Sequence, residues 1–184
     1  GGLILGAADV NNGAEFVAGD GTSAATLELA AGDHAFANGL SISNNATLTG
    51  NGDVTGDVDV HGTLAPGASP GAMTVTGALT LASGSTTEMD IEGTGAGQYD
   101  QVTVSGGSLS LAGTLSVNLS GSYAVGQTWT LMSGATGRSG TFDTEDVPAD
   151  TQVNYKSDGF ELEVIPEPGA ITLLAFGGVL AALR

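Results

Sequence analysis

The sequence predicts an all-β chain wound as a parallel β-solenoid. A short pattern of strand, glycine and strand recurs along residues 40–115, and within each copy an apolar residue stands at every second position. In addition, 31 of the 184 residues are glycine, and many of them lie between apolar pairs, where a chain turns a corner. Together these features predict stacked turns built from short strands.

The repeated pattern is clearest from Val58 through Val60 and Gly62 to Leu64. Two later copies, 73–79 and 109–115, match it at every apolar and glycine position. On an extended chain the apolar residues share one face and the polar residues take the other, as in half-buried strands.

A single turn of this kind cannot fold alone. It buries a few side chains at roughly 1.5–3 kcal/mol each, whereas ordering each residue costs about 1–2 kcal/mol in backbone entropy. Stacked turns share hydrogen-bonded edges and a common core, which favours the solenoid. A β-sandwich is the alternative, and beyond residue 115 the pattern fits both folds about equally.

Four segments are expected along the chain. Residues 1–39 are opening turns with short apolar stretches, and residues 40–119 are the solenoid repeats. Residues 120–165 form a β-rich C-terminal end with larger aromatic side chains, and residues 166–184 are a proline-led apolar tail.

The composition excludes several classes of function. Lys and Arg number 3 against 20 Asp and Glu, so the formal charge of −17 leaves no basic patch for nucleic acid. The absence of cysteine excludes disulfides, thiol catalysis and thiolate metal sites. Because the chain does not begin with Met, we expect that an export signal has been removed or that the sequence belongs to a longer protein.

Three stretches carry a family resemblance. The runs 50–54 (Gly-Asn-Gly-Asp-Val) and 62–71, with its two Pro-Gly pairs, and the Gly-x-Phe at 140–142 resemble the β-helical repeats of autotransporter passengers. This resemblance implies a right-handed winding, which the periodicity does not determine.

The tail resembles a second family. Pro166, Glu167 and Pro168 are followed by an apolar run at 170–183 and by Arg184, an order that resembles the PEP-CTERM sorting signal of exported bacterial proteins. The resemblance implies processing by an exosortase-type membrane enzyme and a location at the bacterial cell surface or in the extracellular matrix. The apolar run predicts a short helix of about 21 Å, less than the ~30 Å of a membrane core. The alternative is an ordinary apolar helix packed on the core.

The sequence offers little for catalysis, and no catalytic residue, metal site or cofactor is predicted. The basic residues are Arg138, expected in a loop, Lys156, expected after a strand, and the terminal Arg184. His34 and His61 are expected in surface turns.

Alternating carboxylates could attract Ca²⁺. Asp53, Asp57 and Asp59, with His61, have the spacing for this, but a solvated outer face explains them as well.

These observations predict a non-enzymatic exported structural protein that assembles with itself into filaments and contacts a membrane only through its tail. Both termini are apolar, and uncapped solenoid ends expose unpaired strand edges. The residues expected to mediate assembly are Leu3, Ile4, Leu5, Leu173, Leu174, Phe176 and Leu180.

Two other functions stay open. One is a monomeric anchored adhesin or glycan-binding module, which predicts a polar groove. The other is a polysaccharide lyase or hydrolase, which predicts clustered acids with Arg138 or Lys156 in a cleft.

Overall fold

The computed structural model describes residues 1–6, 8–10, 13–67 and 70–166. Within these residues the predicted all-β class is confirmed, and none of them is helical. The strands are β1 (Gly2–Leu5), β2 (Ala8–Val10), β3 (Phe16–Ala18), β4 (Ala25–Phe36), β5 (Leu40–Ile42), β6 (Ala46–Thr55), β7 (Val58–Val60), β8 (Thr63–Pro66), β9 (Ala72–Leu81), β10 (Thr86–Ile91), β11 (Gln101–Leu111), β12 (Thr114–Leu119), β13 (Thr128–Ser133), β14 (Arg138–Gly140), β15 (Thr144–Asp146), β16 (Thr151–Tyr155) and β17 (Phe160–Val164).

The strands stack in three columns, and within each column neighbours pair in parallel. The first column contains β1, the first halves of β4 and β6, β8, β10, β12 and β15. The second contains β2, the second halves of β4 and β6, the first halves of β9 and β11, and β13. The third contains β3, β5, β7, the second halves of β9 and β11, and β14. The chain visits each column in turn and then returns to the first, so its winding is solenoid-like.

The core lies inside the three columns, where alternate residues of each strand point inward. In the first column Leu27, Leu48, Leu64 and Leu115 are buried and belong to one ladder of in-register residues. Thr87 stands between Leu64 and Leu115 in this ladder, and its buried hydroxyl has no hydrogen-bond partner. The apolar ladder therefore contains one unsatisfied polar group.

Glycine makes a tight corner between the second and third columns. Gly56 has φ +130°, and a Cβ there would lie 2.4 Å from Phe36 O. Gly77, one turn later, has φ +150°, and a Cβ there would lie 2.4 Å from Gly56 O. Two backbones approach here too closely for any side chain.

The C-terminal end departs from parallel pairing. Strand β13 pairs antiparallel with β17, and β17 pairs antiparallel with β16. These two strands close the end of the core, and Trp129, Phe142 and Phe160 are buried there. The chain beyond residue 115 thus continues the parallel columns through β13, β14 and β15 and then ends in an antiparallel hairpin.

Two expectations need comment. His34 was expected in a surface turn, and this is wrong. It lies within β4, is fully buried, and donates from Nε2 to Ala30 O at 2.7 Å. The glycine at position 52 leaves room for its ring, because a Cβ there would lie 2.6 Å from His34 Cδ2. The short C-terminal helix predicted for residues 170–183 lies outside the described residues.

Candidate functional site

The first turn of the described chain exposes strand edges. Strands β1 and β2 pair only with β4, and β3 pairs only with β5, so within the described residues one edge of each has no partner strand. Gly1 anchors the start of β1 through its amino group, which donates to Ala24 O at 2.9 Å. Unpaired edges present N–H and C=O groups on which a further strand can add.

The same turn is apolar on its outer as well as its inner faces. Ile4 is 66% exposed and Val17 is 53% exposed, and both occupy outward-facing register positions. In the next two turns the positions in register with Ile4 hold Glu28 and Thr49, and in the turn after those the position holds the small residue Ala65. Those in register with Val17 hold Ser41, Asp59 and Thr80. The first turn is therefore apolar where the next two turns are polar.

An apolar groove of about 320 Å³ opens at this end of the core. Leu3, which is 48% exposed, and Phe16 line it, together with Val17, Ala18 and Leu27. Leu5, further along β1, is only partly exposed and packs against the core. We call this surface, formed by the free edge of β1 with Leu3, Ile4, Phe16 and Val17, the N-terminal groove.

The predicted assembly residues Leu3, Ile4 and Leu5 thus lie on one strand beside this groove. Sequence reasoning missed Val17. An alignment of 16–18 (Phe-Val-Ala) with 40–42 (Leu-Ser-Ile) would have found it, because it places an apolar residue opposite an outward serine.

The opposite end of the core is covered by the hairpin of β16 and β17, which continues the second column, whereas β14 and β15 each pair with one strand only among the described residues. The Trp129 indole is 1% exposed, donates from Nε1 to Gly93 O at 2.8 Å, and meets the Tyr123 ring edge-on. Phe142 and Phe160 pack edge-to-face with ring centroids 5.2 Å apart. The two ends of the winding therefore differ, one exposing apolar edges and the other covered by aromatic side chains and a hairpin.

The predicted sorting motif lies only partly within the described residues. Pro166 is exposed and lies shortly after the end of β17. The residue between them, Ile165, donates its N–H to Asp150 O. The remaining residues of the motif and of the predicted assembly set lie outside the described residues: Glu167, Pro168, Leu173, Leu174, Phe176, Leu180 and Arg184.

Two of the three basic residues lie together at the hairpin end. Arg138 was expected in a loop but is the first residue of β14. Its guanidinium donates to Lys156 O and Gly140 O and lies 4.9 Å above the centre of the Tyr155 ring. Lys156 follows β16 as expected and pairs with Glu161 at 2.8 Å. Both side chains hold the closing hairpin in place.

Tyr155 is the hub of this cluster. Its hydroxyl donates to Glu145 Oε1 at 2.7 Å and accepts from the Phe142 N–H at 3.1 Å. Burial and, after it, the hydrogen bond to Glu145 together raise the pKa of Tyr155 to about 12. The hydroxyl thus stays protonated at neutral pH and acts as a structural donor.

The carboxylates considered for a cation occupy different places. Asp57 accepts from the Ala78 N–H at 2.8 Å, Asp59 pairs with His61 at 3.3 Å, and Asp53 lies on another column beside Asp33. His61 is about half exposed beside β7, so the expected surface position is confirmed for this histidine. Across the part of the chain that the structure describes, no three His, Asp or Glu side chains are arranged to hold a metal ion.

A polar cleft of about 260 Å³ lies on the outer face of the first column. It exists because β8 ends at Pro66, so that β10 pairs with β8 only at Thr86 and Thr87, and among the described residues the far half of β10 has no strand neighbour on that side. The polar side chains lining the cleft are those of Thr49, Glu88, Asp90, Asp100, Ser116 and Asn118. Neither Arg138 nor Lys156 lines it or the N-terminal groove.

Comparison of the sequence with models of known protein families found no match, and comparison with curated proteins found none either. Among the residues described, no helix has the length and apolar character needed to cross a membrane.

Proposed function

We propose that the chain is a non-enzymatic structural protein of the bacterial exterior that assembles with itself through its N-terminal groove. The observation that carries this proposal is the pair of exposed apolar side chains, Ile4 and Val17, at register positions that are polar in the next two turns. Exposed apolar side chains at these two positions do not stabilise an isolated solenoid in water, whereas a partner strand would bury them.

The sorting-type tail supports the location. Its resemblance to the PEP-CTERM signal implies export, an exosortase-type processing enzyme, and a place at the cell surface or in the extracellular matrix. We propose a right-handed winding on the resemblance to autotransporter passengers. The engagement of Arg138 and Lys156 in the closing hairpin supports a role without catalysis, because a lyase of this shape needs a free base.

The proposal is tested by changing the outer face of the first turn to the residues of later turns. The double variant Ile4→Thr and Val17→Ser introduces the side chains found at Thr49 and Ser41, so the fold should be retained. Val125→Thr is the matched control, because Val125 is 63% exposed but lies far along the chain. Circular dichroism and thermal melts establish folding of all three chains.

Sedimentation velocity over a concentration series then measures association. The wild-type chain and Val125→Thr should form larger species as concentration rises, and the double variant should stay monomeric. A wild-type chain that is monomeric throughout the series contradicts the proposal, and so does a double variant that associates as strongly as the wild type.

The second candidate is a glycan-binding module, favoured by the polar cleft. The carboxylate, amide and hydroxyl groups that line the cleft suit the hydroxyl groups of a sugar. The net charge of −17 and the carboxylates of the cleft disfavour acidic sugars, so neutral oligosaccharides are the appropriate probes. A glycan array should show binding that Glu88→Gln with Asn118→Ala abolishes; an array without signal removes this candidate.

A further inference from the structure

We infer that the N-terminal groove of one copy packs against the N-terminal groove of a second copy, so that two chains pair head to head about a two-fold axis. Strand β1 of each copy then lies antiparallel to β1 of the other. This inference rests on the proposed function, for which it names the partner surface and the symmetry of the contact.

The far end of the first column does not suit β1 as a neighbour. Strand β15 is the last strand of this column among the described residues, and Glu145 stands at an inward register position, in line with the buried Leu115. A copy stacked head to tail in continued register would place its Leu3 on Glu145. Its Ile4 would lie beside Asp146. Both acids are exposed, and the contact would remove their water beside apolar side chains.

The far end is also uneven, whereas the first strands of the three columns belong to one turn. Strand β17 pairs with β13 and β16 pairs with β17, so the second column extends two strands beyond the turn that contains β14 and β15. At about 4.8 Å per strand, this is a step of roughly 10 Å. Two first turns can therefore meet in all three columns, which a first turn and the far end cannot.

Antiparallel pairing restricts which residues of β1 meet. Leu3 and Leu5 take inward register positions, in line with buried leucines of β4, and Ile4 takes an outward one. Residues opposite each other in an antiparallel pair lie on the same face of the sheet. When Ile4 lies opposite Ile4 of the second copy, Leu3 lies opposite Leu5. The other register, with Leu3 opposite Leu3, places Ile4 opposite Gly2 and buries less apolar surface.

The rest of the first turn is compatible with this axis. An axis through the first column exchanges the second column with the third, so β3 of each copy, with its exposed Val17, lies beside β2 of the other. No acid occurs among residues 1–8, so in a chain with a net charge of −17 this stretch meets its own copy without like-charge repulsion. A contact between identical patches is closed, so it does not by itself extend into the filament expected from the sequence.

A single introduced cysteine tests the register, because the sequence has none. In the paired strands the two Cα atoms at position 4 lie roughly 4.5–5.5 Å apart, within the range of a disulfide. Ile4→Cys should therefore form a cross-linked dimer under mild oxidation about tenfold faster than Val125→Cys. Val125→Cys is the matched control, because Val125 is 63% exposed and Ile4 is 66% exposed. Melting curves of the reduced chains establish that both fold.

Opposite charges at position 4 test the symmetry. Ile4→Lys and Ile4→Glu should each be monomeric in sedimentation velocity, because each chain meets its own charge across the axis. An equimolar mixture of the two should restore the dimer. In a head-to-tail order Ile4→Lys would instead strengthen association, since the new ammonium group would lie beside Asp146.

The wild type should form dimers and nothing larger. Species larger than a dimer, or Ile4→Lys chains that still associate, overturn the inference and leave the proposed function in place. Cross-linking of Ile4→Cys that is no faster than that of Val125→Cys, in chains whose wild type associates, also overturns it. A wild type that stays monomeric at every concentration refutes the proposed function itself, and the inference with it.

Discussion

Asp90 and Asp100 are joined by two hydrogen bonds that replace a missing strand. The Asp90 N–H donates to Asp100 Oδ2 at 2.8 Å, and the Asp100 N–H donates to Asp90 O at 2.8 Å. The second carboxylate oxygen of Asp100 accepts from the Gly71 N–H at 2.6 Å. The buried Asp100 side chain thus accepts a hydrogen bond from the edge of β10 beyond the end of β8, and it also fixes the chain at Gly71, just before β9.

This arrangement predicts an unusual pH dependence. Burial raises the pKa of Asp100 to about 6, outweighing the N–H donors of Asp90 and Gly71, which lower it. A folded-state pKa above the unfolded value contributes stability that is full below about pH 4 and is lost as pH rises through about 6.

The measurement is the free energy of unfolding of wild type and Asp100→Asn between pH 4 and pH 7. Wild type should be more stable than the variant at pH 4, and the gap should narrow by on the order of 1–3 kcal/mol by pH 7. A gap that widens with rising pH would show that the two N–H donors, and not burial, control this carboxyl group.

Removing the unsatisfied hydroxyl in the core should stabilise the fold. Thr87→Val replaces the buried hydroxyl between Leu64 and Leu115 by a methyl group of similar size, which should raise the free energy of unfolding by about 1–3 kcal/mol. Thr86→Val is the control, since Thr86 is only partly buried and faces outward. Equal effects of the two substitutions in denaturant titrations would mean that the Thr87 hydroxyl is hydrated.

Substitutions at two glycines should distinguish the steric cost of an added Cβ from the conformational cost of a positive φ. Gly56→Ala places a Cβ against Phe36 O at φ +130° and should destabilise the chain by about 2–5 kcal/mol. Gly84 has φ +91° with open space around it, so Gly84→Ala should cost only the conformational part, about 1–2 kcal/mol. If both variants melt at the same temperature, the corner is looser than the stacked backbones indicate.

Like charges in register should make stability depend on salt. Asp33 and Asp53 are neighbours on adjacent strands of the second column. Asp53→Asn should raise the melting temperature by about 1–3 °C at low salt and by less in 1 M NaCl. Asp146→Asn is the control, because Asp146 lies in register with Ser116. A salt-independent gain would point to a cause other than repulsion.

The repeated pattern predicted the strands better than it predicted their places in the winding. The copies ending at Leu64 and Leu115 both run from the third column to the first. The copy at 73–79 runs from the second column to the third, because Leu79 is in register with Val58 and not with Leu64. The pattern encodes a strand, a corner and a strand, and a glycine corner has the same local signal wherever it occurs.

Features that depend on distant neighbours were not predictable. His34 was expected in a surface turn, and only the glycine at position 52 of the next turn shows that an imidazole fits on the inward face of β4. Nothing local distinguishes Asp100 from the other acidic residues among the twenty in the sequence, because its role depends on where β8 ends. The antiparallel closure by β16 and β17 also had no local signal, because alternation does not encode strand direction.

The most direct test of the account is the size of the folded protein in solution, measured by sedimentation velocity on the wild type and on the Ile4→Thr, Val17→Ser double variant. The account predicts that the wild type forms larger species as its concentration rises and that the double variant stays monomeric, because the exposed apolar side chains of the first turn are the contact between copies. A wild type that stays monomeric at every concentration would contradict the account.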